Sequence, residues 1–326
     1  MEQLLIITIF ISFFCTFFIL PFWIKIAHKQ KLVGKDMHKK EKIEVAECGG
    51  INVLFGFSIG ILLYIGINTF YFKNTTTLTP MFVVLCTLLI SGILGLTDDL
   101  LGWKKGLSKK IRIILLLFAA IPLMVINAGS HTMMGIEFGL LYPLIIIPLG
   151  IVGATTTFNF LAGYNGLEAS QGILILSALS IVCFLNGTPW LSVVALCMVA
   201  PLIAFYIFNK YPARVFPGDS LTYPVGALIA VIAILGNIEK IAIFFFIPYI
   251  LETILKLRGK LEKESFAKVN ENGSLDMPYD KVYGLEHLAI KILKKFKKNV
   301  YENNVVFLIN GFQILIILLG FWLFIL

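Results

Sequence analysis

An all-α polytopic membrane protein of about ten transmembrane helices is the fold this sequence predicts, and three observations predict it. Hydrophobic residues make up 58% of the 326 positions, charged residues only 14%, and mean hydropathy is +0.91. Most of the chain must therefore be solvated by lipid or by its own apolar neighbours. Apolar runs near the ~20 residues that cross a hydrocarbon core recur along the whole chain. Of the 27 Lys and Arg residues, all but Lys73 and Lys240 fall on one side of those runs, the asymmetry that orients membrane proteins.

The elements follow in order, with bounds set by where the apolar runs stop. The first, about 3–27, lacks a basic leader and is too long for a cleaved signal peptide, so it reads as a retained helix kinked by Pro21 near its end. The second, about 49–71, starts at a Gly pair, and the third, about 80–97, stays uncharged until two acids close it. The fourth, about 112–128, leaves a cationic loop, and the fifth, about 141–158, runs into a stretch of side-chain amides. The sixth and seventh, about 170–185 and 190–208, are split by the turn at Asn186-Gly187-Thr188. The eighth, about 222–237, follows a Pro/Gly turn; the ninth, about 239–256, ends in basic residues; the tenth is about 304–326. The whole chain forms one membrane domain, with an inner loop at about 257–303 as its only sizeable extramembrane part.

By the positive-inside rule the Lys/Arg-rich side is cytoplasmic, which with ten spans puts both termini outside and makes the protein a multi-pass resident of a cell membrane. The net charge of +8 is then a topology signal and an attraction to anionic lipid headgroups, with no call for nucleic acid. Asn74-Thr75-Thr76 and Asn186-Gly187-Thr188 are sequon tripeptides on the outer side. Cys15, Cys48, Cys86, Cys183 and Cys197 have no metal or redox spacing, and His28, His38, His131 and His287 form no zinc pattern.

Four inner segments carry chemistry. Residues 29–50 form a basic loop that ends in Glu47-Cys48-Gly49-Gly50; the Gly pair permits close approach of a backbone or ligand, which suggests a ligand wall. Residues 98–112, DDLLGWKKGLSKKIR, set Asp98 and Asp99 against Lys104, Lys105, Lys109, Lys110 and Arg112. Adjacent carboxylates at a helix end repel unless water or a cation compensates them; holding Mg²⁺ against a pyrophosphate or accepting a proton are two tasks that need them. Residues 159–172, NFLAGYNGLEASQG, interrupt an apolar chain with amides and glycines suited to the edge and face of a flat heterocycle. Residues 211–220, YPARVFPGDS, hold Asp219 after a rigid turn and present Phe216 for stacking or interface packing. Asp98, Asp99, Asn159 and Asp219 together make an oxygen-donor set for a hard cation.

The strings DDLLG at 98–102, NFLAGYNGLEASQG at 159–172 and YPARVFPGDS at 211–220 resemble those of the polyprenyl-phosphate N-acetylhexosamine-1-phosphate transferases. They are most similar to the dolichyl-phosphate N-acetylglucosamine-1-phosphotransferase branch of eukaryotes and archaea. The resemblance implies that Asn159 and Asp219 help bind Mg²⁺, for which Mn²⁺ substitutes, on the sugar-nucleotide pyrophosphate. It implies that Gly163 and Phe216 sandwich uracil, that Asn165 bonds its edge, and that Asp98 and Asp99 are the family's acidic pair, with their division of labour left open. DMHK at 36–39 and AECGG at 46–50 match weaker motifs and make Glu47 a nucleotide-site contact. Arg112 stands where the family has a lysine, with Lys109 and Lys110 close by, and keeps the charge with a different geometry. The last inner loop lacks the family's histidine and arginine-rich sugar motifs, so Lys260, Lys263 and Lys268 are candidates for sugar and phosphate by charge alone.

The implied activity is transfer of N-acetylglucosamine-1-phosphate from UDP-N-acetylglucosamine to a polyprenyl or dolichyl phosphate at the cytoplasmic face, releasing UMP. Membrane lipids are the expected surroundings and a homodimer the oligomer considered. A sister transferase using UDP-N-acetylmuramoyl-pentapeptide or UDP-N-acetylgalactosamine is the near alternative. A secondary transporter is the distant one, disfavoured because transporters place their ionisable groups near the bilayer midplane. In the last loop, FAKVNENGSLDM at 266–277 predicts a hairpin and LEHLAIKILKKFKK at 285–298 an interfacial amphipathic helix.

Overall fold

The computed structural model describes residues 2–41, 43–102 and 106–325; Lys42, Lys104 and Lys105, counted above among the inner cations, lie outside them. Among the described residues, eight helices are long and apolar enough to cross a membrane. They are α1 (Glu2–Lys29), α2 (Gly50–Gly66, prolonged by a π turn at Ile67–Tyr71), α3 (Leu78–Leu101), α5 (Ile147–Phe160, entered through a π turn at Tyr142–Ile146), α6 (Leu167–Leu185), α7 (Pro189–Asn209), α8 (Asp219–Gly236) and α12 (Glu302–Phe324).

The other two expected spans take different forms. α4 (Lys109–Val125) is shorter and starts three residues before the expected bound, because Ser108 Oγ accepts from Ile111 N–H at 3.4 Å and caps it there. The run at 239–256 is two helices, α9 (Glu239–Phe245) and α10 (Ile247–Arg258). Pro248 lacks the N–H needed to continue a single helix, and its ring would strike the carbonyl four residues back. α6 begins at Leu167, so only residues 161–166 of the amide-rich string are loop, and Glu168 and Gln171 are helical.

α8 is the axis of the bundle: 89% of its apolar window is buried, against 22% for α1. It packs on α3, α5 and α2. α1 turns Phe10, Phe14, Phe18 and Phe22 outward at four-residue spacing, as a lipid-facing stripe does. Its inner face is polar and small. Thr8, Ser12 and Thr16 are fully buried, Thr16 Oγ donates to Asn52 O at 3.2 Å, and the neighbouring surface of α2 carries Gly56 and Gly60, the close seam that small residues allow in a membrane.

Among the described residues, three two-stranded hairpins lie outside the bundle. β1 (Val33–Lys35) pairs with β2 (Glu44–Ala46) in the first inner loop, and β3 (Thr132–Met133) with β4 (Ile136–Glu137) at the other end. In the last inner loop β5 (Lys268–Val269) pairs with β6 (Leu275–Asp276) around Asn272-Gly273, as the sequence predicts. α11 (Leu285–Leu293) ends sooner than the expected amphipathic helix and docks on α10 and α12. Its inward face is not purely apolar: Glu286 and His287 are fully buried with Leu285, Ala289 and Ile290. Burial, with the Lys256 ammonium nearby, pushes the His287 pKa down to about 4.

Candidate active site

The site forms where the first inner loop, the ends of α3 and α5, and the start of α8 meet. Ala46 and Val215 make a parallel bridge, Phe216 N–H donates to Ala46 O at 2.7 Å, and the N–H groups of Gly49 and Gly50 donate to Phe216 O and Pro217 O at 3.0 and 2.9 Å. A side chain at Gly49 would strike Val215, Phe205 and the Phe216 carbonyl, and one at Gly50 the Leu221 backbone. The Gly pair thus serves backbone-to-backbone packing. Of the two partners the Gly pair could admit, the backbone is the one found, while Glu47 and Cys48 of the same segment line the smaller cavity described below.

The two acids at the end of α3 both line one cavity but bond different partners. Asp99 accepts from the N–H groups of Asp219 at 2.7 Å and Ser220 at 3.0 Å, satisfying the first donors of α8 from a neighbouring helix. Asp98, nearly buried, accepts from Leu107 N–H at 2.6 Å and forms an ion pair with Arg112 Nη2. Arg112 Nη1 lies 3.9 Å from Asp219 Oδ2, and among the described residues its Nε has no hydrogen-bond partner. The acid pair therefore divides its work: one member sets the start of α8 and the other aims a guanidinium.

Two cavities open at this junction. The smaller, about 460 Å³, is lined by Asp98, Lys109, Arg112 and the Gly106–Ser108 backbone turn. The larger, about 840 Å³, is lined by Asn159, Gly163, Asn165 and residues of the first inner loop. Glu47, Asp99, Phe216, Gly218 and Asp219 line both. Asp98, Asn159 and Asp219 do not share a single cavity; Asp219 shares the smaller with Asp98 and the larger with Asn159. Asn159 Oδ1 accepts from Thr222 Oγ1 at 3.2 Å, one turn into α8 from Asp219. Burial, and after it the Asp99 charge, raises the Glu47 pKa.

Asn165 is held at both ends. Its backbone N–H donates to Glu302 Oε1 at 2.7 Å and its Nδ2 to Asp36 Oδ2 at 3.0 Å. The Lys39 ammonium lies 3.4 Å from Glu302 and 3.8 Å from Asp36, and His38 Nδ1 lies 3.5 Å from Glu302 Oε1. Ligand atoms of Asp36, His38 and Glu302 sit within 4.8 Å of one another. Lys39 supplies their counter-charge, so the DMHK motif works as a clamp on Asn165. Glu168 Oε1 accepts from Gly163 N–H at 2.7 Å and fixes the glycine in the same way.

Lys260, Lys263 and Lys268 are not carried to either cavity. The Lys263 ammonium lies 5.0 Å from the centre of the Tyr279 ring, while Lys260 and Lys268 are exposed. Lys109 does line the smaller cavity, and its ammonium donates to Leu261 O at 2.8 Å. Glu168, Asn209 and Phe266 line the larger cavity though the sequence reading gives them no role. Glu168 had a signal, an acid inside the amide string; Phe266 had none.

Residues 81–237 match the model of a family described as Glycosyl transferase family 4. A Saccharolobus solfataricus protein that carries the provisional name of a UDP-N-acetylglucosamine–dolichyl-phosphate N-acetylglucosaminephosphotransferase is 35% identical over 317 residues, 95% of this chain and 93% of its own. A Dictyostelium discoideum protein named as that phosphotransferase is 29% identical over 72% of this chain and 67% of its own. A Streptococcus pyogenes phospho-N-acetylmuramoyl-pentapeptide-transferase is 27% identical over 77% of this chain and 78% of its own.

Proposed function

Since the chain belongs to glycosyl transferase family 4, we propose that it transfers N-acetylglucosamine-1-phosphate from UDP-N-acetylglucosamine to a dolichyl or other polyprenyl phosphate at the cytoplasmic face of the cell membrane. The carrying observation is the pair of unlike cavities that share the wall of Glu47, Asp99, Phe216, Gly218 and Asp219. One sets Arg112 and Lys109 among carboxylates beside α3 and α4; the other is lined by amides, a glycine and aromatic rings. The names of the relatives support the substrates: identity to the acetylglucosamine-named archaeal protein is higher and covers more of the chain than identity to the muramoyl-pentapeptide enzyme. The acids gather at the Lys/Arg-rich end of the helices, which supports chemistry at that face over transport at the midplane.

In this reading the larger cavity takes the nucleotide. Gly163 and Phe216 flank the uracil. With Nδ2 of Asn165 committed to Asp36, its Oδ1 is the atom that accepts from the ring N–H. The smaller cavity takes the lipid phosphate, whose charge Arg112 and Lys109 neutralise. A lipid-phosphate oxygen attacks the β-phosphorus, the bond from that phosphorus to the bridging oxygen breaks, and UMP leaves with the electron pair. A phosphate monoester's second pKa is near 6, so little base strength is demanded. The observed bonds of Asp98 and Asp99 suit positioning better than proton abstraction.

Asn159 and Asp219 would hold the Mg²⁺, or Mn²⁺ in its place. Both are oxygen donors on one cavity wall, the chemistry a hard cation requires. When bound, such an ion neutralises the pyrophosphate and the departing UMP. The test is UMP release from UDP-N-acetylglucosamine with and without polyprenyl phosphate and with divalent cations chelated. Release that needs neither lipid nor metal, or that proceeds faster with UDP-N-acetylmuramoyl-pentapeptide or UDP-N-acetylgalactosamine, would overturn the reading.

A further inference from the structure

We propose that Phe266, from the last inner loop, is a specificity-determining wall of the base subsite, an aromatic contact for the planar heterocycle of the nucleotide; this rests on the larger cavity being the nucleotide site. Phe266 lines that cavity, and its ring lies against Gly163. Gly163 has φ +107°, and a side chain there would stand 3.0 Å from Phe266 Cε1. The glycine thus admits an aromatic ring from a segment about a hundred residues further along the chain.

Buried groups fix the backbone on both sides of Phe266. Before it, Ser265 O accepts from the Tyr164 hydroxyl at 3.5 Å, and Ser265 Oγ bonds the buried Lys256 ammonium, which lies 3.5 Å from the fully buried Glu252. After it, Ala267 N–H donates to His38 Nε2 at 3.2 Å, and the His38 ring packs 4.1 Å from Tyr164 and 5.6 Å from Phe266, centre to centre. His38 belongs to the same clamp that holds Asn165. One network therefore sets the amide for the edge of the base and the Phe266 ring as the wall beside the glycine that backs it. Anchored at both neighbours, the ring is offered to an incoming base rather than displaced by it. Its apolar surface, standing beside Asn165 and the Glu168-bound glycine, suits a flat π-system better than a sugar hydroxyl.

The test uses the full chain in lipid nanodiscs and reads UMP affinity by calorimetry beside the kinetics. Phe266→Ala is expected to weaken UMP binding and raise KM for UDP-N-acetylglucosamine by up to about tenfold, the loss of one aromatic contact, while kcat and the KM for lipid phosphate hold. Phe266→Tyr should behave as the parent protein does. Should Phe266→Ala melt early, Phe266→Leu keeps most of the volume without the π-face and carries the same test. Folded Ala or Leu variants whose UMP affinity is unchanged or tighter overturn the proposal. Parent protein that neither binds UMP nor releases it overturns the nucleotide-site reading itself, a separate result.

Discussion

The two cavities that meet at Asp219 are built on opposite principles. The smaller is framed by charge: Asp98 and Arg112 pair across it and Lys109 closes its rim. The larger is framed by hydrogen-bond geometry: the Lys39 ammonium serves the clamp behind Asn165, and the cavity wall presents amides, a glycine and aromatic rings. Charge attracts a phosphate from any direction, whereas a base must be met at a fixed edge and face. In the proposed reading, contacts to the acceptor and recognition of the donor are set by different parts of the chain, joined along the shared wall of Glu47, Asp99, Phe216, Gly218 and Asp219.

The largest effect should come from the shared wall. Asp219→Ala is expected to lower kcat/KM by more than about 10²-fold for both substrates, because one preorganised charge serves both cavities; a loss confined to one substrate's KM would break the picture of a joint wall. Next, Arg112→Ala should raise the KM for lipid phosphate by about 10- to 100-fold, the worth of a charge-assisted hydrogen bond, while UMP binding is spared. Arg112→Lys should recover part of that loss, read by the same kinetics. Asn165→Ala should do the converse, weakening UMP by about tenfold and leaving the lipid KM alone. If Arg112 and Asn165 variants disturbed both substrates equally, the division between cavities would fall.

Smaller effects lie in stability. Asp99→Ala removes the external cap of α8 and should cost about 1 kcal/mol, seen as a fall of a few degrees in melting temperature. Glu47 sharpens the comparison least but has a clear sign. Its folded pKa is raised above the ordinary 4.5 by burial and by Asp99, so the folded state binds the proton more tightly than the unfolded chain. Stability from this group is complete below 4.5 and is lost as pH rises from there through the raised value. Glu47→Gln should flatten that part of a melting-temperature profile, and an unaltered slope would show that Glu47 sits in ordinary solvent.

The lesson about legibility is uneven. Asp98, Asp99, Asn159 and Asp219 stand out from the sequence because polar groups at the ends of apolar runs are costly and conspicuous, and the fold divides them between two cavities, with Asp98 on one, Asn159 on the other and Asp99 and Asp219 on both. The Gly49-Gly50 pair was equally conspicuous, yet its partner proved to be the backbone before α8. A glycine reports close approach without naming what approaches. Lys260, Lys263 and Lys268 matched the expected charge, but loop geometry leaves them outside both cavities.

Sequence by itself determined the membrane class, the side on which Lys and Arg gather and the three strings that supply the candidate site, because hydropathy and charge asymmetry are additive properties of residues. Tertiary structure alone decided that Asp99 caps a helix 120 positions away, that Asp36 and Glu302 clamp Asn165, and that Phe266 rests on Gly163. Such pairings join distant segments at distances of a few ångströms, and no local pattern of residue types fixes where two segments will touch.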